Sequence, residues 1–249
     1  MNEKGMQRMV CSCLLAAWVL CASAQTGSHV VNISTADGLS QGVVFDILQD
    51  SEGFLWFGTK DGLNRYDGYR FEVFTNDPDD PWSISGNTVN LLFEDSKGRI
   101  WAATDNHGVD IFDKATGRFH HILYDPAHPG GLSGSHIVTI VEDSSGTFLL
   151  NVDGKEINML KLEDAFFQKQ QPPQVIRIPV PKQDIGRQMP GTMLRVIVKD
   201  EKGRIWVGGP GVGVSVAGGV TWSNSFWDGM MMEEPLRLFH AMSASNGIW

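Results

Sequence analysis

Cysteine is nearly missing from this chain. Its 249 residues hold three, Cys11, Cys13 and Cys21, all close to the N-terminus. No disulfide framework is available to the rest of the chain, so its fold must rest on packing and hydrogen bonds. Tyrosine is as rare, with only Tyr66, Tyr69 and Tyr124 to serve any chemistry that needs a phenol. Basic residues are in deficit: 20 Lys and Arg against 29 Asp and Glu give a formal charge of −9. A nucleic-acid footprint needs clustered Lys and Arg, so that class is excluded. An anionic membrane surface is a poor match for the same reason. Long apolar runs are also lacking, apart from one of about twelve residues at 10–21, too short for an ordinary membrane span. At 42% hydrophobic and 20% charged, the composition is that of a globular chain and not of a disordered one.

The short apolar run explains itself. Lys4 and Arg8 precede it, and Ala22-Ser23-Ala24 follows as an A-x-A cleavage site. Residues 1–24 are expected to be a secretory signal peptide, with Gln25 opening the mature chain. Cys21 suits a lipid anchor less well, because bulky Leu20 precedes it. All the cysteines would leave with the signal.

A repeat fills the remainder. Asp50-Ser-Glu-Gly-Phe-Leu-Trp-Phe-Gly-Thr59 returns as Asp95-Ser-Lys-Gly-Arg-Ile-Trp-Ala-Ala-Thr104 and as Asp200-Glu-Lys-Gly-Arg-Ile-Trp-Val-Gly-Gly209. Asp143-Ser-Ser-Gly-Thr-Phe-Leu-Leu-Asn-Val152 is a worn copy with Leu149 in place of the Trp, and Asn246-Gly-Ile-Trp249 opens a fifth. The recurring positions are Asp50, Gly53, Trp56 and Gly58; Asp95, Gly98 and Trp101; Asp143 and Gly146; Asp200, Gly203 and Trp206; and Trp249. Trp56 and Trp101 are 45 residues apart, and Trp206 and Trp249 are 43 apart. A period of about 40–45 residues is that of a four-stranded propeller blade. Asp-Ser-x-Gly is turn chemistry, the alternating run after it is a buried strand, and Gly58 admits a close backbone.

The expected fold is all-β: a β-propeller of four-stranded antiparallel blades, forming an incomplete arc of about four to five. Residues 25–249 hold it. Blade 1 covers about 39–74, blade 2 about 84–123, blade 3 about 132–180 and blade 4 about 189–227, and the start of blade 5 lies at about 236–249. Residues 30–33 are read as a further short strand able to complete a last blade. Blade 3 exceeds the period by about a dozen residues. The excess is placed at 163–174, where Gln168-Lys-Gln-Gln-Pro-Pro-Gln174 reads as a bulging loop. No helix is expected.

Each chemical candidate meets a plainer reading. The Trp series suits a sugar-stacking platform, but its phase inside the second strand makes packing the better reading. An Asp repeated once per blade is a turn former before it is a catalyst. The Asp-x-x-Gly-x-x-Trp frame is one residue off the Asp box of sialidases, and Tyr66 and Tyr69 belong to the repeat. His120, His121, His128 and His136 lack zinc-helix spacing. Gly208-Gly-Pro-Gly-Val-Gly213 lacks the Gly-Lys-Ser/Thr of a phosphate loop, and Asp77, Asp79 and Asp80 lack the twelve-residue calcium pattern. Met230–232 reads as an apolar patch. No catalytic residue, metal site or cofactor is expected, and no motif names ligand-binding residues.

Together these runs, above all Asp37-Gly-Leu-Ser-Gln and the stretch from Gln49 to Gly68, resemble the two-component regulator propeller repeat. The resemblance is close for the first copy, good for the second and fourth, and poor for the third. It implies the periplasmic sensor region of a hybrid two-component histidine kinase of the Bacteroidetes type, of which this chain would be an N-terminal piece. It further implies an oligosaccharide ligand, further blades and a kinase region as partners, a dimeric full-length receptor and an inner-membrane anchor. Read so, the chain is a binding module and not an enzyme. A propeller-fold lyase or glycosidase, or a pure interaction scaffold, is the alternative.

Overall fold

Among the described residues, alternation and turn chemistry lay down sixteen strands in four sheets. The computed structural model describes residues 30–128, 130–169, 171–179, 194–202, 204–209, 213–218 and 221–223. The chain divides into two units, Met1–Ile33 and Ser34–Trp249. In the first, residues 30–33 form no strand: a β-branched run is not a strand until another pairs with it. The second opens at Ser34, which caps a 3₁₀ turn at Thr35–Asp37 through a capping box with Asp37.

The first sheet runs β1 (Val44–Gln49), β2 (Leu55–Thr59), β3 (Gly62–Tyr66) and β4 (Phe71–Phe74). The second runs β5 (Val89–Glu94), β6 (Ile100–Thr104), β7 (Gly108–Asp113) and β8 (Arg118–Leu123). The third has β9 (Ile137–Glu142), β10 (Thr147–Val152), β11 (Glu156–Lys161) and β12 (Ile176–Pro179), with helix α1 (Asp164–Lys169) between the last two. The fourth has β13 (Val196–Lys199), β14 (Ile205–Gly209), β15 (Gly213–Gly218) and β16 (Thr221–Ser223). Every sheet is an antiparallel meander in sequence order. The all-β expectation therefore holds, with α1 as a correction. Gln and Pro dominate this stretch in sequence, but Phe166 is buried against the core and holds the short helix in place.

First strands lie beside first strands: β1 against β5, β5 against β9, and β9 against β13. Three apolar layers fill the spaces between sheets. Trp56, Leu63, Ile100, Phe112 and Phe119 join the first sheet to the second. Trp101, Ile111, Ile137, Phe148 and Leu150 join the second to the third. Leu149, Ile157, Leu194, Ile205 and Val207 join the third to the fourth. The second strands β6 and β10 lie between two such layers and are buried along their whole length for that reason.

Gly58 sets the spacing of the first pair. A Cβ there would stand 2.8 Å from the Val89 carbonyl oxygen on β5. The second sheet has Ala103 at the same place in the repeat, the third has Asn151 and the fourth has Gly208. Gly58→Ala is expected to cost about 1–3 kcal/mol by overpacking, read from the urea midpoint. An unchanged midpoint would mean that β2 and β5 separate freely.

Candidate functional site

The repeated Asp sits at a corner, and its carboxylate closes it. Asp50 Oδ1 accepts from the Glu52 and Phe54 amides at 3.0 and 2.9 Å, and Oδ2 accepts from Trp56 Nε1 at 2.9 Å. Asp95 receives the Lys97 and Arg99 amides and Trp101 Nε1 in the same way. Asp200 receives the Lys202 and Arg204 amides and Trp206 Nε1. Asp143 keeps the amides of Ser145 and Thr147 but has Leu149 where the indole would be. The left-handed glycine follows at Gly53, Gly98 and Gly146, with φ of 93°, 76° and 73°. Trp56 and Trp101 are fully buried. Gly203 and Trp249 lie outside the described residues, as do Met230–232.

A cation completes each Trp-bearing corner. Arg99 Nε lies 2.6 Å from Asp95 Oδ2, and Arg204 Nε lies 2.6 Å from Asp200 Oδ2. Phe54 takes that place in the first copy, and Lys114 of the second sheet reaches across to Asp50 at 2.8 Å. Burial pushes the Asp50 carboxyl up, but Lys114, the Trp56 indole and the Phe54 amide together hold it below its ordinary range. The Trp206 indole, with Arg204 and its amide, holds Asp200 far below that range.

Glutamates at the ends of first strands tie each corner to the next sheet. Glu94 accepts from the Ser51 amide and hydroxyl at 2.8 and 2.7 Å. Glu142 accepts from both groups of Ser96 at 2.6 Å. Lys199 holds the same place on β13 and donates to the Glu142 carbonyl at 2.7 Å. Glu94 and Glu142 both precede the repeated Asp by one residue, but nothing in the sequence beside them marks a link to the preceding copy.

A second polar set lies nearer the opposite strand ends. Asn64 pairs with the Ser40 amide and hydroxyl at 2.9 and 2.8 Å, and Asn158 pairs with those of Ser133 at 2.7 Å each. The second sheet has Asp110 there, fully buried. Asp110 accepts from the Ser85 hydroxyl at 2.7 Å and from Thr104 at 3.2 Å, and faces His121 Nδ1 at 2.5 Å. His121 Nε2 lies 3.0 Å from the Pro81 carbonyl. Both partners of the imidazole are acceptors, so both ring nitrogens carry hydrogen and the ring is an imidazolium. This Ser, Asp and His do not form a catalytic triad, because Asp110 bridges the other two and His121 does not face Ser85.

Burial alone would lower the His121 pKa, but the bond and charge of Asp110 outweigh it and raise the pKa above 6.5. The stability contributed by this pair is therefore complete below pH 6.5 and is lost as pH rises through the folded-state value. Denaturation at a series of pH values, with an NMR titration of His121, is expected to show that loss. A His121 titrating below 6.5 would rule out the ion pair.

The departure from repetition is at the rim between the second and third sheets. In α1, Asp164 opens the helix and Lys169 closes it, each matching the dipole at its end. Phe166 and Phe167 from α1 and Trp82 surround His120, with ring centroids 5.8, 5.0 and 5.5 Å away. Arg99 stacks on Phe167 and Arg118 on Trp82. The chain returns through Pro172 and Pro173. The Val175 amide then bonds to the Gly130 carbonyl, and Arg177 bonds to those of Gly131 and Leu132. Two open cavities of about 420 and 480 Å³ flank this strap and share Phe166, Pro172 and Pro173 as walls. His120 lines the smaller one. This histidine lacks zinc-helix spacing in the sequence, and nothing local announces its aromatic surroundings.

Among the described residues, no group of three His, Cys, Asp or Glu is placed to hold a metal, and no helix is long and apolar enough to cross a membrane.

Antiparallel four-stranded sheets packed first strand beside first strand define propeller blades. The pattern of the two component regulator propeller family matches residues 38–61 and 83–106, the first two copies through their second strands. A 49-residue stretch is 57% identical to part of histidine kinase P4 of Formosa agariphila. That stretch is 20% of this chain and 4% of the kinase. Two solved structures from B. thetaiotaomicron are similar, both extracellular domains. One, assigned to a hybrid two component system, is 24% identical with a TM-score of 0.52, over 78% of this chain and 31% of that one. The other, assigned to a one component system, is 22% identical with a TM-score of 0.54, over 76% and 26%. At those identities the likeness shows the fold alone. The chain spans about a third or less of each of these proteins.

Proposed function

We propose that this chain is part of the periplasmic sensor of a hybrid two-component histidine kinase. In this reading the propeller binds a small-molecule ligand, an oligosaccharide, and hands the signal to a kinase region through further blades of a dimeric, inner-membrane receptor. The observation that carries it is the family match over both copies at 38–61 and 83–106. The polar groups support binding over catalysis. Each described repeat carboxylate is committed to its corner, and the set of Ser85, Asp110 and His121 is closed on itself. Lys4, Arg8 and Ala22-Ser23-Ala24 supply the export signal this reading needs.

Thermal shift of the full chain against a panel of oligosaccharides tests it. A ligand that binds only the folded state raises the melting temperature with concentration. Stabilisation by one oligosaccharide class, with no new reducing ends released, is the expected result. Release of new reducing ends or of an unsaturated product would make the chain an enzyme. No stabilisation across the panel would overturn the sugar ligand.

A further inference from the structure

We propose that the connection between β4 and β5 is a proton-controlled clasp: it is held against β8 while His121 carries both ring hydrogens, and it lets go at Pro81 when one of them leaves. The device is independent of what the propeller binds.

The tip of this connection, residues 77–83, holds its own shape. The Asp80 amide donates to the Asp77 carbonyl and the Ser83 amide to the Asp80 carbonyl, both at 3.1 Å. The Ser83 hydroxyl donates to the Asp77 carbonyl and accepts from the Asp77 amide. The Asp77 and Asp80 carboxylates take the Asp79 and Trp82 amides, both at 3.0 Å. Two hydrogen bonds tie this closed turn to β8. The Phe119 amide donates to the Trp82 carbonyl at 2.9 Å, and His121 Nε2 meets the Pro81 carbonyl at 3.0 Å. The Trp82 ring rests against His120 and Arg118. The first tie is indifferent to pH. The second lasts only while Nε2 carries hydrogen.

Asp110 decides which hydrogen leaves. Its carboxylate is fully buried and faces His121 Nδ1 at 2.5 Å. A buried carboxylate turned to a lone pair would lose a charge-assisted bond that water cannot replace. The last hydrogen of a neutral His121 therefore stays on Nδ1, and Nε2 turns a lone pair to the Pro81 carbonyl. Two acceptors 3.0 Å apart repel, and the tie is lost. The other titratable groups close by are Asp80 beside Pro81, His120 on β8, and Asp125 and His128 of the next connection, which line the same cavity as His121. Among the described residues, Asp110 is the carboxylate bonded to the ring. Burial lowers the His121 pKa, but Asp110 and the Pro81 carbonyl outweigh it and raise the pKa above 6.5. The clasp is closed below the folded-state value and opens as pH rises through it.

The third sheet has the same clasp without the titration. Arg177 lies opposite Asn158 as His121 lies opposite Asp110. It reaches back to the connection before its own sheet and donates to the Gly131 and Leu132 carbonyls at 3.0 Å. A guanidinium keeps its hydrogens across the physiological range. One place in the blade thus holds the preceding connection in both sheets, by a permanent cation in the third and by a removable one in the second.

Amide exchange of the full chain, at pH values on both sides of the His121 titration, tests the clasp, with ¹⁵N NMR of the ring to read its tautomer. The neutral parent ring is expected to carry its hydrogen on Nδ1. The protection factor of the Phe119 amide, which already allows for the intrinsic effect of pH, is expected to fall about tenfold, the value of one hydrogen bond. The Val175 amide, bonded to Gly130 in the connection that Arg177 holds, is expected to keep its protection. Asp110→Asn reverses the choice: its carboxamide donates to Nδ1, the hydrogen stays on Nε2, and Phe119 stays protected throughout. If that variant fails to fold, His121→Arg, which copies Arg177, is expected to show the same constancy. A neutral parent ring with its hydrogen on Nε2, or unchanged Phe119 protection in the parent, overturns the clasp. So does an equal fall at Val175, or a fall in the variant that matches the parent's.

Discussion

Trp101→Ala is expected to destabilise the protein by about 3–5 kcal/mol, as a fully buried aromatic truncation in a core that cannot collapse. The indole is at 0% exposure, and its ring centroid lies 4.2 Å from that of Phe148 in the next sheet. Phe93 meets it edge-on from β5. Removing it opens the layer between the second and third sheets and withdraws the donor to Asp95. Trp101→Phe separates the two effects. It keeps most of the packing and loses only the indole N–H, and Arg99 still holds Asp95. That variant should lose about 1–3 kcal/mol. Because sheets stacked in series stabilise one another chiefly through nearest-neighbour contacts, the Ala variant should loosen the second and third sheets together, visible in amide exchange. A loss under about 1 kcal/mol for Trp101→Ala would show that the slot tolerates a void, and the packing account of the repeat would fail.

The fold was legible because the blade repeats its own grammar. Asp50, Asp95, Asp143 and Asp200 stand at the same corner of each sheet, and the strand after each is apolar because it is covered on both faces. Two kinds of information were not legible. Links between copies, such as Ser51 to Glu94 and Ser96 to Glu142, join residues over 40 positions apart, and no local pattern says that they meet. Departures from the repeat show their place in the sequence but not their structure. The excess in the third copy looked like a polar loop because Gln and Pro dominate it. Phe166 and Phe167 decide its structure, and they act through His120, a residue of another sheet. Residues 30–33 erred the other way: their strand propensity is real, but pairing is a tertiary fact.

Asp110→Ala should be about as damaging as Trp101→Ala, for an electrostatic reason. Its carboxylate is fully buried and serves Ser85, Thr104 and His121 together. Removing one partner of a buried charge pair leaves the other uncompensated, which costs about 3–5 kcal/mol. His121 would answer by giving up its proton, so the loss should shrink as pH rises and the imidazole becomes neutral in both states. Asp110→Asn is the informative companion. Asn64 and Asn158 occupy the same place in the first and third sheets and pair with Ser40 and Ser133. An Asn at 110 can meet Ser85 likewise and turn its amide to a neutral His121 that keeps its Nε2–H on Pro81. It should cost no more than about 1 kcal/mol once the pH is above the folded-state pKa of His121, with the cost growing at lower pH as the parent regains its ion pair. Equilibrium denaturation of parent, Ala and Asn forms at pH values on both sides of the His121 titration followed by NMR decides the matter. If Asp110→Asn were as destabilised as Asp110→Ala above that titration, charge would not be what sets this site apart from its sister copies. The Asn equivalence between sheets would then be one of sequence only.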